Sequence, residues 1–436
     1  MEITFFGAAG EVGRSCIMIK GNGTKILLDA GVKLGEQTEY PQLPQGEIKD
    51  IDGIVISHAH LDHSGYLPHL YSAGYHGKTY AMKPTLELMN VLISDYMRLS
   101  NPKDVTKEGL AGLTKNSVAV EFKREFKIKG LSVTLIPAGH ILGSALIRVS
   151  DGHEAVLYTG DINLSKTKLL NGADLRGLNA KTLIMESTYG AEGDEFRPER
   201  DNIHDFISSV KESIKEGGKV VVPSFAVGRA QEVLFILDDY MNSGAVPKVP
   251  IYVDGMITKA MRIHRHNVIY CRKELQSMIL MSDYDPFKSE NFVQVEKKSM
   301  RNTIVSKDES SIIVTTSGMI TGGPIMFYLK KMAGNPLNKL ILVGYQAQGT
   351  LGRALQEGAK KVKLDGSDLN IQMSVELYHM SAHADRRQLE SIPGKISGLS
   401  NIFIVHGEKS KSESLKKYFE SKYNTVVPRL GEKFTI

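Results

Sequence analysis

Gly53-Ile54-Val55-Ile56-Ser57-His58-Ala59-His60-Leu61-Asp62-His63 is the stretch on which the reading of this chain turns. Its apolar first half predicts a short buried strand. Residues 61–73, with Tyr66, Leu67 and Leu70 at helical spacing, predict a helix directly after it. Four potential metal ligands, His58, His60, Asp62 and His63, therefore fall within six residues on a strand-to-helix turn, where α/β proteins gather their chemistry. A lone His-X-His pair is as readily a packed or surface pair. The added Asp62 and His63 at this junction favour a metal site.

Working outward, other apolar runs end in the same way. Ile26-Leu27-Leu28 leads into Asp29, Leu135-Ile136 into His140, Val156-Leu157-Tyr158 into Asp161, Leu183-Ile184-Met185 into Glu186, and Ile402-Phe403-Ile404-Val405 into His406. One such group is explained by a satisfied partner in the core. Five of them beside the opening cluster imply one shared rim of strand ends and hence one site. Imidazoles and carboxylates without thiolates suit zinc, with manganese or iron as alternatives. His58, His60, Asp62, His63, His140, Asp161 and His406 make seven ligands, too many for one tetrahedral ion. Two ions about 3.5–4 Å apart, bridged by one carboxylate and a hydroxide, fit that number, and hydrolysis at carbon or phosphorus is the expected reaction class.

A length of 436 residues suffices for one large domain or two ordinary ones. With 42% hydrophobic and 24% charged residues the chain is an ordinary globular one, which excludes disorder. A net charge of +5 excludes a histone-like polycation yet does not repel an anionic substrate. Cys16 and Cys271, far apart in apolar or mixed contexts, read as buried free thiols of an intracellular protein. Met1-Glu2-Ile3-Thr4-Phe5-Phe6 lacks the basic segment of a signal peptide, and no window is apolar enough to span a membrane, so the expectation is cytoplasmic.

Short strands dominate residues 1–187. From about residue 200, helix (202–215), strand (219–222), helix (229–241), strand (251–253), helix (257–264), strand (311–315), helix (325–332) and strand (340–343) succeed one another. This alternation predicts a parallel sheet with helices on both faces. It has the look of an inserted second domain, and residues 190–198, rich in Gly and Glu, are a plausible boundary.

His-X-His-X-Asp-His, with Asp29 before it and His140 and Asp161 after it, resembles the motifs of the metallo-β-lactamase superfamily. The late arrival of the last strand-end histidine, His406, is similar to the β-CASP nucleases, in which a second domain is inserted and the chain then returns to complete the site. Glu186 in Met-Glu-Ser-Thr-Tyr-Gly, His383 in Met-Ser-Ala-His-Ala-Asp and His406 in Ile-Val-His-Gly-Glu resemble that group's motifs A, B and C, and residues 223–232 resemble its inserted domain. A histidine at motif C is typical of RNA-cleaving members. The nearest likeness is to archaeal cleavage and polyadenylation specificity factor-like ribonucleases, though no KH module precedes the first strand here.

The resemblance implies an α/β fold: a metallo-β-lactamase αββα sandwich over residues 1–187, completed by residues 366–436, with an α/β parallel-sheet β-CASP domain inserted over residues 188–365. It implies two zinc ions, one held by His58, His60, His140 and Asp161, the other by Asp62, His63, Asp161 and His406, with Asp161 bridging. Asp29 would orient the histidine loop. Glu186 and His383 would form an acid pair, the imidazole serving the leaving 3′ oxygen, so that single-stranded RNA is cut to a 5′-phosphate and a 3′-hydroxyl. A homodimer and membership of an RNA-processing complex are implied in the same way.

Weaker candidates for substrate contact are Ser317 and Gly318 in a Gly-rich turn, Arg229 at a helix start, and His379, four residues before His383. A plain helix-entry turn, an internal ion pair and a structural histidine are the respective alternatives. The run Lys259, Arg262, His264, Arg265 and His266 is one-sign charge, in most cases only a solvated face. Two other function classes stand beside the ribonuclease: a small-molecule hydrolase of the same superfamily, and a non-catalytic scaffold of an RNA-processing complex.

Overall fold

The computed structural model describes residues 1–35, 37–282 and 284–436. The chain divides into two compact units, one formed by Met1–Lys166, Leu170–Glu195 and His383–Ile436, the other by Thr167–Leu169 and Phe196–Ala382.

The first unit holds two seven-stranded sheets. One runs in the order Lys433–Thr435, Glu2–Phe5, Ile17–Gly21, Thr24–Leu28, Gly53–Val55, Lys78–Met82, Ser117–Val120. The other runs Asn424–Val426, Asn401–Val405, Thr182–Glu186, Ala155–Tyr158, Ala145–Ser150, Leu131–Pro137, Phe126–Ile128. Alternate residues of both sheets point inward. Ile3, Phe5, Ile17, Ile19, Ile26 and Leu28 of the first meet Val133, Leu135, Ile147, Val149, Val156 and Phe403 of the second in one buried core. Helix Lys83–Ser100 packs on strands Lys78–Met82 and Ser117–Val120, and helix Lys409–Phe419 packs on Asn401–Val405 and Asn424–Val426, giving the αββα layering.

Register puts the chemistry at one end. Ala155–Tyr158, Thr182–Glu186 and Asn401–Val405 pair in parallel, with Glu186 opposite Val405, so the residues that follow these strands emerge together. Two successive antiparallel pairings bring Leu131–Pro137 into the same direction as Ala155–Tyr158. Thr24–Leu28 and Gly53–Val55 are likewise parallel, Leu28 opposite Val55.

The second unit holds a six-stranded sheet in which every pairing is parallel: Phe292–Gln294, Ile251–Asp254, Ser311–Thr315, Lys219–Pro223, Lys339–Leu342, Ser374–Leu377. Val220-Val221-Val222 and Ile312-Ile313-Val314 are continuous apolar runs because such strands are buried on both faces.

Three local expectations are corrected. Residues 61–73 form two helices, Leu61–Ser64 and Leu67–Ser72, because Pro68 cannot donate the bond that a continuous helix needs there. Residues 366–382, expected with the core, lie with the inserted unit, since Ser374–Leu377 pairs with Lys339–Leu342. Thr167–Leu169 also belongs to that unit: the Glu232 carboxylate accepts the backbone N–H groups of Lys168 at 2.9 Å and Leu169 at 3.0 Å. Cys16 and Cys271 are free and buried. Among the described residues no helix is long and apolar enough to cross a membrane.

The basic run at 259–266 is not one charged face. Helix Ile257–His266 turns His264 inward, its Nδ1–H donating to Ala260 O at 2.8 Å, while Arg265 pairs with Asp285. Burial pushes the His264 imidazole down to about 4. An unfolded histidine takes up a proton near pH 6.5, so as the pH falls from about 6.5 towards 4 only the unfolded state gains one, and stability drops by about 3 kcal/mol. Urea titrations at about pH 7 and about pH 4.5 are expected to show a loss of stability in the wild type that is smaller by about 2 kcal/mol in His264→Leu. An equal loss in the variant would refute this role for His264.

Candidate metal centre

The structure brings the seven expected ligands together. Donor atoms of His58, His60, His140 and Asp161 all lie within 4.8 Å of one another, as do those of His58, Asp62 and His63 and those of His63, Asp161 and His406. Asp161 faces two ways. Its Oδ2 lies 3.4 Å from His58 Nε2 and 3.6 Å from His140 Nε2. Its Oδ1 lies 3.3 Å from His63 Nε2 and 3.1 Å from His406 Nδ1. His60 Nδ1 sits 3.2 Å from His140 Nε2, and Asp62 Oδ2 sits 3.3 Å from His406 Nε2.

Local structure explains how the chain delivers these groups. Ser15 N–H donates to Asp62 O, and Ala30 N–H donates to His63 O, both at 2.8 Å, which pins the turn after His60. Gly31 is required there: a Cβ on it would fall 1.7 Å from Asp62 O. Asp29 and His406 leave their strands at φ +60° and +48°, conformations that side chains rarely adopt. Hydrogen bonds hold both residues in place. Asp29 accepts from Ser57 N, Ser57 Oγ, Tyr158 Oη and His63 Nδ1, and His406 N–H donates to Ala8 O at 2.8 Å.

Glu186 is fully buried. Its Oε1 accepts Ile162 N–H at 2.7 Å, and both carboxylate oxygens lie 3.0 Å from His383 Nδ1. The other nitrogen of His383 is 3.9 Å from Asp161 Oδ2. The pair therefore abuts the ligand cluster.

Charge divides the imidazoles. Desolvation pulls His58, His60 and His140 down, His60 to about 4. Burial opposes charge on His63 and His406 as well, but Asp161 and its neighbouring carboxylates overcome it, raising His63 well above its usual range and His406 to about 10. For His383 burial is outweighed by Glu186 and Asp161, and its imidazole is raised. Asp161, despite its burial, is held well below the usual carboxylate range by His406 and His63.

His58 Nε2, His63 Nε2, both ring nitrogens of His406 and Asp161 Oδ1 are buried atoms that no hydrogen bond satisfies. Convergent buried polar atoms of this kind are costly unless a bound group meets them, and nitrogen and oxygen donors without sulfur suit a divalent ion of the zinc class. The residues present thus fit a metal.

Comparison with known proteins agrees. The model of the metallo-beta-lactamase superfamily matches residues 9–212, that of the Beta-Casp domain residues 230–355, and that of the Zn-dependent metallo-hydrolase RNA specificity domain residues 368–428. The chain belongs to the β-CASP family of the metallo-β-lactamase superfamily. It is 36% identical over 98% of its length to the transcription termination factor FttA of Methanocaldococcus jannaschii, covering 70% of that protein. It is 37% identical over 94% of its length to the factor of that name from Methanococcus maripaludis, covering 67%. A solved protein of unknown function from Enterococcus faecalis V583 shares the fold, with a TM-score of 0.60 at 15% identity over 100% of this chain and 99% of that one.

In this β-CASP chain the weaker candidates belong to the second unit. Ser317 Oγ accepts Thr321 N–H at 3.0 Å within its own turn, and Gly318 gives way to Phe225, whose backbone N would lie 2.8 Å from a Cβ. Arg229 is buried at the start of helix Arg229–Asn242, where its charge acts on Glu199. His379 stacks on Phe196 with ring centroids 5.1 Å apart. The sequence reading passed over Ser57 and Tyr158, which reach Asp29. The signal was a hydroxyl closing each apolar run, Ser57 one residue ahead of His58 and Tyr158 three residues ahead of Asp161.

Gly31→Ala should strike this site selectively. Backbone on both sides cannot yield, so overpacking is expected to lower stability by at least about 2 kcal/mol and to reduce metal content. Gly46→Ala, where nothing lies within 4 Å of the added Cβ, is the control. Denaturation midpoints that match for Gly31→Ala and wild type would contradict the packing argument.

Proposed function

We propose that this chain is a zinc-dependent ribonuclease that hydrolyses phosphodiester bonds of single-stranded RNA, using two metal ions. The observation that carries the proposal is Asp161, whose two oxygens face two different donor sets while the Glu186–His383 pair stands beside it. That arrangement suits two ions sharing one carboxylate, the first held by His58, His60, His140 and Asp161 and the second by Asp62, His63, Asp161 and His406. Bound there, the ions would supply an activated water near neutral pH and neutralise charge growing on the phosphate oxygens.

The chain's own groups do the rest. Asp29 fixes His63 through Nδ1 at 2.6 Å and so aims Nε2 at the cluster. Glu186 accepts from His383 Nδ1, which orients the ring and favours its protonated form. The opposite Nε2–H then stands next to the ligand cluster, placed to protonate the leaving 3′ oxygen and to leave a 5′-phosphate on the other product. RNA as the polymer is supported by the match to an RNA specificity domain at residues 368–428 and by the transcription-termination role in the names of archaeal relatives. A nuclease acting on transcripts, by internal cuts or from the 5′ end, joins these observations.

His60→Ala is expected to abolish cleavage while RNA binding and the fold persist. His383→Ala should lower the cleavage rate by about 10²- to 10⁴-fold with metal content unchanged. One RNA labelled in turn at each end, with and without a 5′-monophosphate, reports both the loss and the cutting mode. Full activity of His60→Ala, or turnover of a thioester with no phosphodiesterase activity, would overturn the proposal.

A further inference from the structure

Ser57 lies between the strand Gly53–Val55 and the first ligand, fully buried, with Gly160 packed against it so closely that a Cβ there would come within 2.8 Å of Ser57 Oγ. The serine is therefore held in place from the side of Asp161. Its Oγ lies 2.7 Å from Asp29 Oδ2 and 3.0 Å from His58 Nδ1.

The direction of each proton follows from counting donors. Asp29 receives Ser57 N–H at 2.7 Å on Oδ1, and on Oδ2 it receives Tyr158 Oη–H at 2.8 Å, His63 Nδ1–H at 2.6 Å and the Ser57 hydroxyl. An aspartate so surrounded is an acceptor only. The single hydroxyl proton of Ser57 is thereby committed to Asp29. Towards His58 the same oxygen has only a lone pair to offer, so His58 must carry its proton on Nδ1 and present a bare Nε2 towards Asp161 Oδ2. His63, donating from Nδ1 to the same carboxylate, directs its Nε2 towards Asp161 Oδ1, where a metal ion would displace any proton it carries.

We infer that Ser57 is a positioning residue that carries the orienting effect of Asp29 across to His58, so that one carboxylate fixes the metal-binding tautomer of an imidazole in each of the two donor sets. Asp29 touches His63 directly and reaches His58 only through this hydroxyl. The two sets thus depend on Ser57 unequally. Loss of the hydroxyl frees His58 to place its proton on Nε2, where it blocks the ligand lone pair, and leaves the Asp29–His63 contact intact. Tyr158, whose phenol donates to Asp29 alone, supports the carboxylate without choosing either tautomer.

The inference rests on the reading of the cluster as a two-ion centre, and the experiment separates the two. Metal content of wild type, Ser57→Ala and Ser57→Thr is followed during titration with a zinc chelator, and long-range 1H–15N correlation spectra of the metal-free proteins report which nitrogen of His58 and His63 is protonated. For Ser57→Ala one of the two ions should be lost at about 10- to 100-fold lower chelator strength, with the other held as in the wild type, and Ser57→Thr should restore the lost affinity. In the spectra His58 should be protonated on Nδ1 in wild type and lose that preference in Ser57→Ala, while His63 keeps its Nδ1 proton in both. Equal weakening of both ions, or an unchanged His58 tautomer in Ser57→Ala, overturns the inference. A wild-type protein that binds no metal overturns the two-ion reading instead, and the spectra of the metal-free protein still decide the part played by Ser57.

Discussion

A single buried carboxylate, that of Asp161, is the constraint around which the first unit is arranged. It is 2% exposed and has imidazoles from His58, His140, His63 and His406 against its two oxygens. An isolated charge at that depth costs several kcal/mol even after relaxation. Positive charge on His63 and His406 offsets that cost, and the four imidazoles come from three separate stretches of chain. Each stretch is the end of a strand or the turn after one, which is why parallel register matters more here than any single contact.

Parallel pairing does the assembling. Had Thr182–Glu186 run antiparallel to Ala155–Tyr158, Glu186 would emerge at the opposite end of the sheet from Asp161, and the contact from Glu186 to Ile162 N–H would not exist. The parallel partner Asn401–Val405 brings His406 to the same end after more than two hundred residues of intervening chain. Such crossovers need long connections, and the β-CASP insertion is one. The candidate ligand that is latest in sequence is thus fixed by the same hydrogen-bonded ladder as Asp161 and Glu186.

Much of this could be read in advance because the signals were local. An apolar run followed by a titratable residue can be seen without any knowledge of pairing, and Asp29, His58, His140, Asp161, Glu186 and His406 all carry that mark. The parallel sheet of the second unit was legible for a related reason: Val220-Val221-Val222 and Ile312-Ile313-Val314 are too uniformly apolar for a half-exposed strand. Partner choice for hydroxyls was not legible. Ser57, Ser317 and Tyr158 look alike as polar residues at strand ends, yet one bridges Asp29 to an imidazole, one closes its own turn, and one supports a carboxylate across the sandwich. Arg229 shows the same limit, since a guanidinium at a helix start looks free in sequence and is buried in the fold. The helix expected over 61–73 failed at Pro68, a signal that was present and outweighed by the apolar spacing around it.

The local strain is concentrated where the ligands enter. Asp29 and His406 both adopt left-handed backbone at the strand ends, and neither is a glycine. Relaxing either would cost the site a group: a glycine at 29 would remove the acceptor that holds His63 and Ser57, and a glycine at 406 would remove two donor nitrogens. Gly31 and Gly407 stand two and one residues beyond these positions, where a Cβ would fall 1.7 Å from Asp62 O and 2.2 Å from Ser187 Oγ. The chain thus places its glycines where backbones must touch and keeps functional side chains where the backbone is strained. Residues in such conformations persist only when the surroundings over-determine them. Here four donors on Asp29 and a backbone bond to His406 do so, and the stability given up at these turns is what points the imidazoles inward.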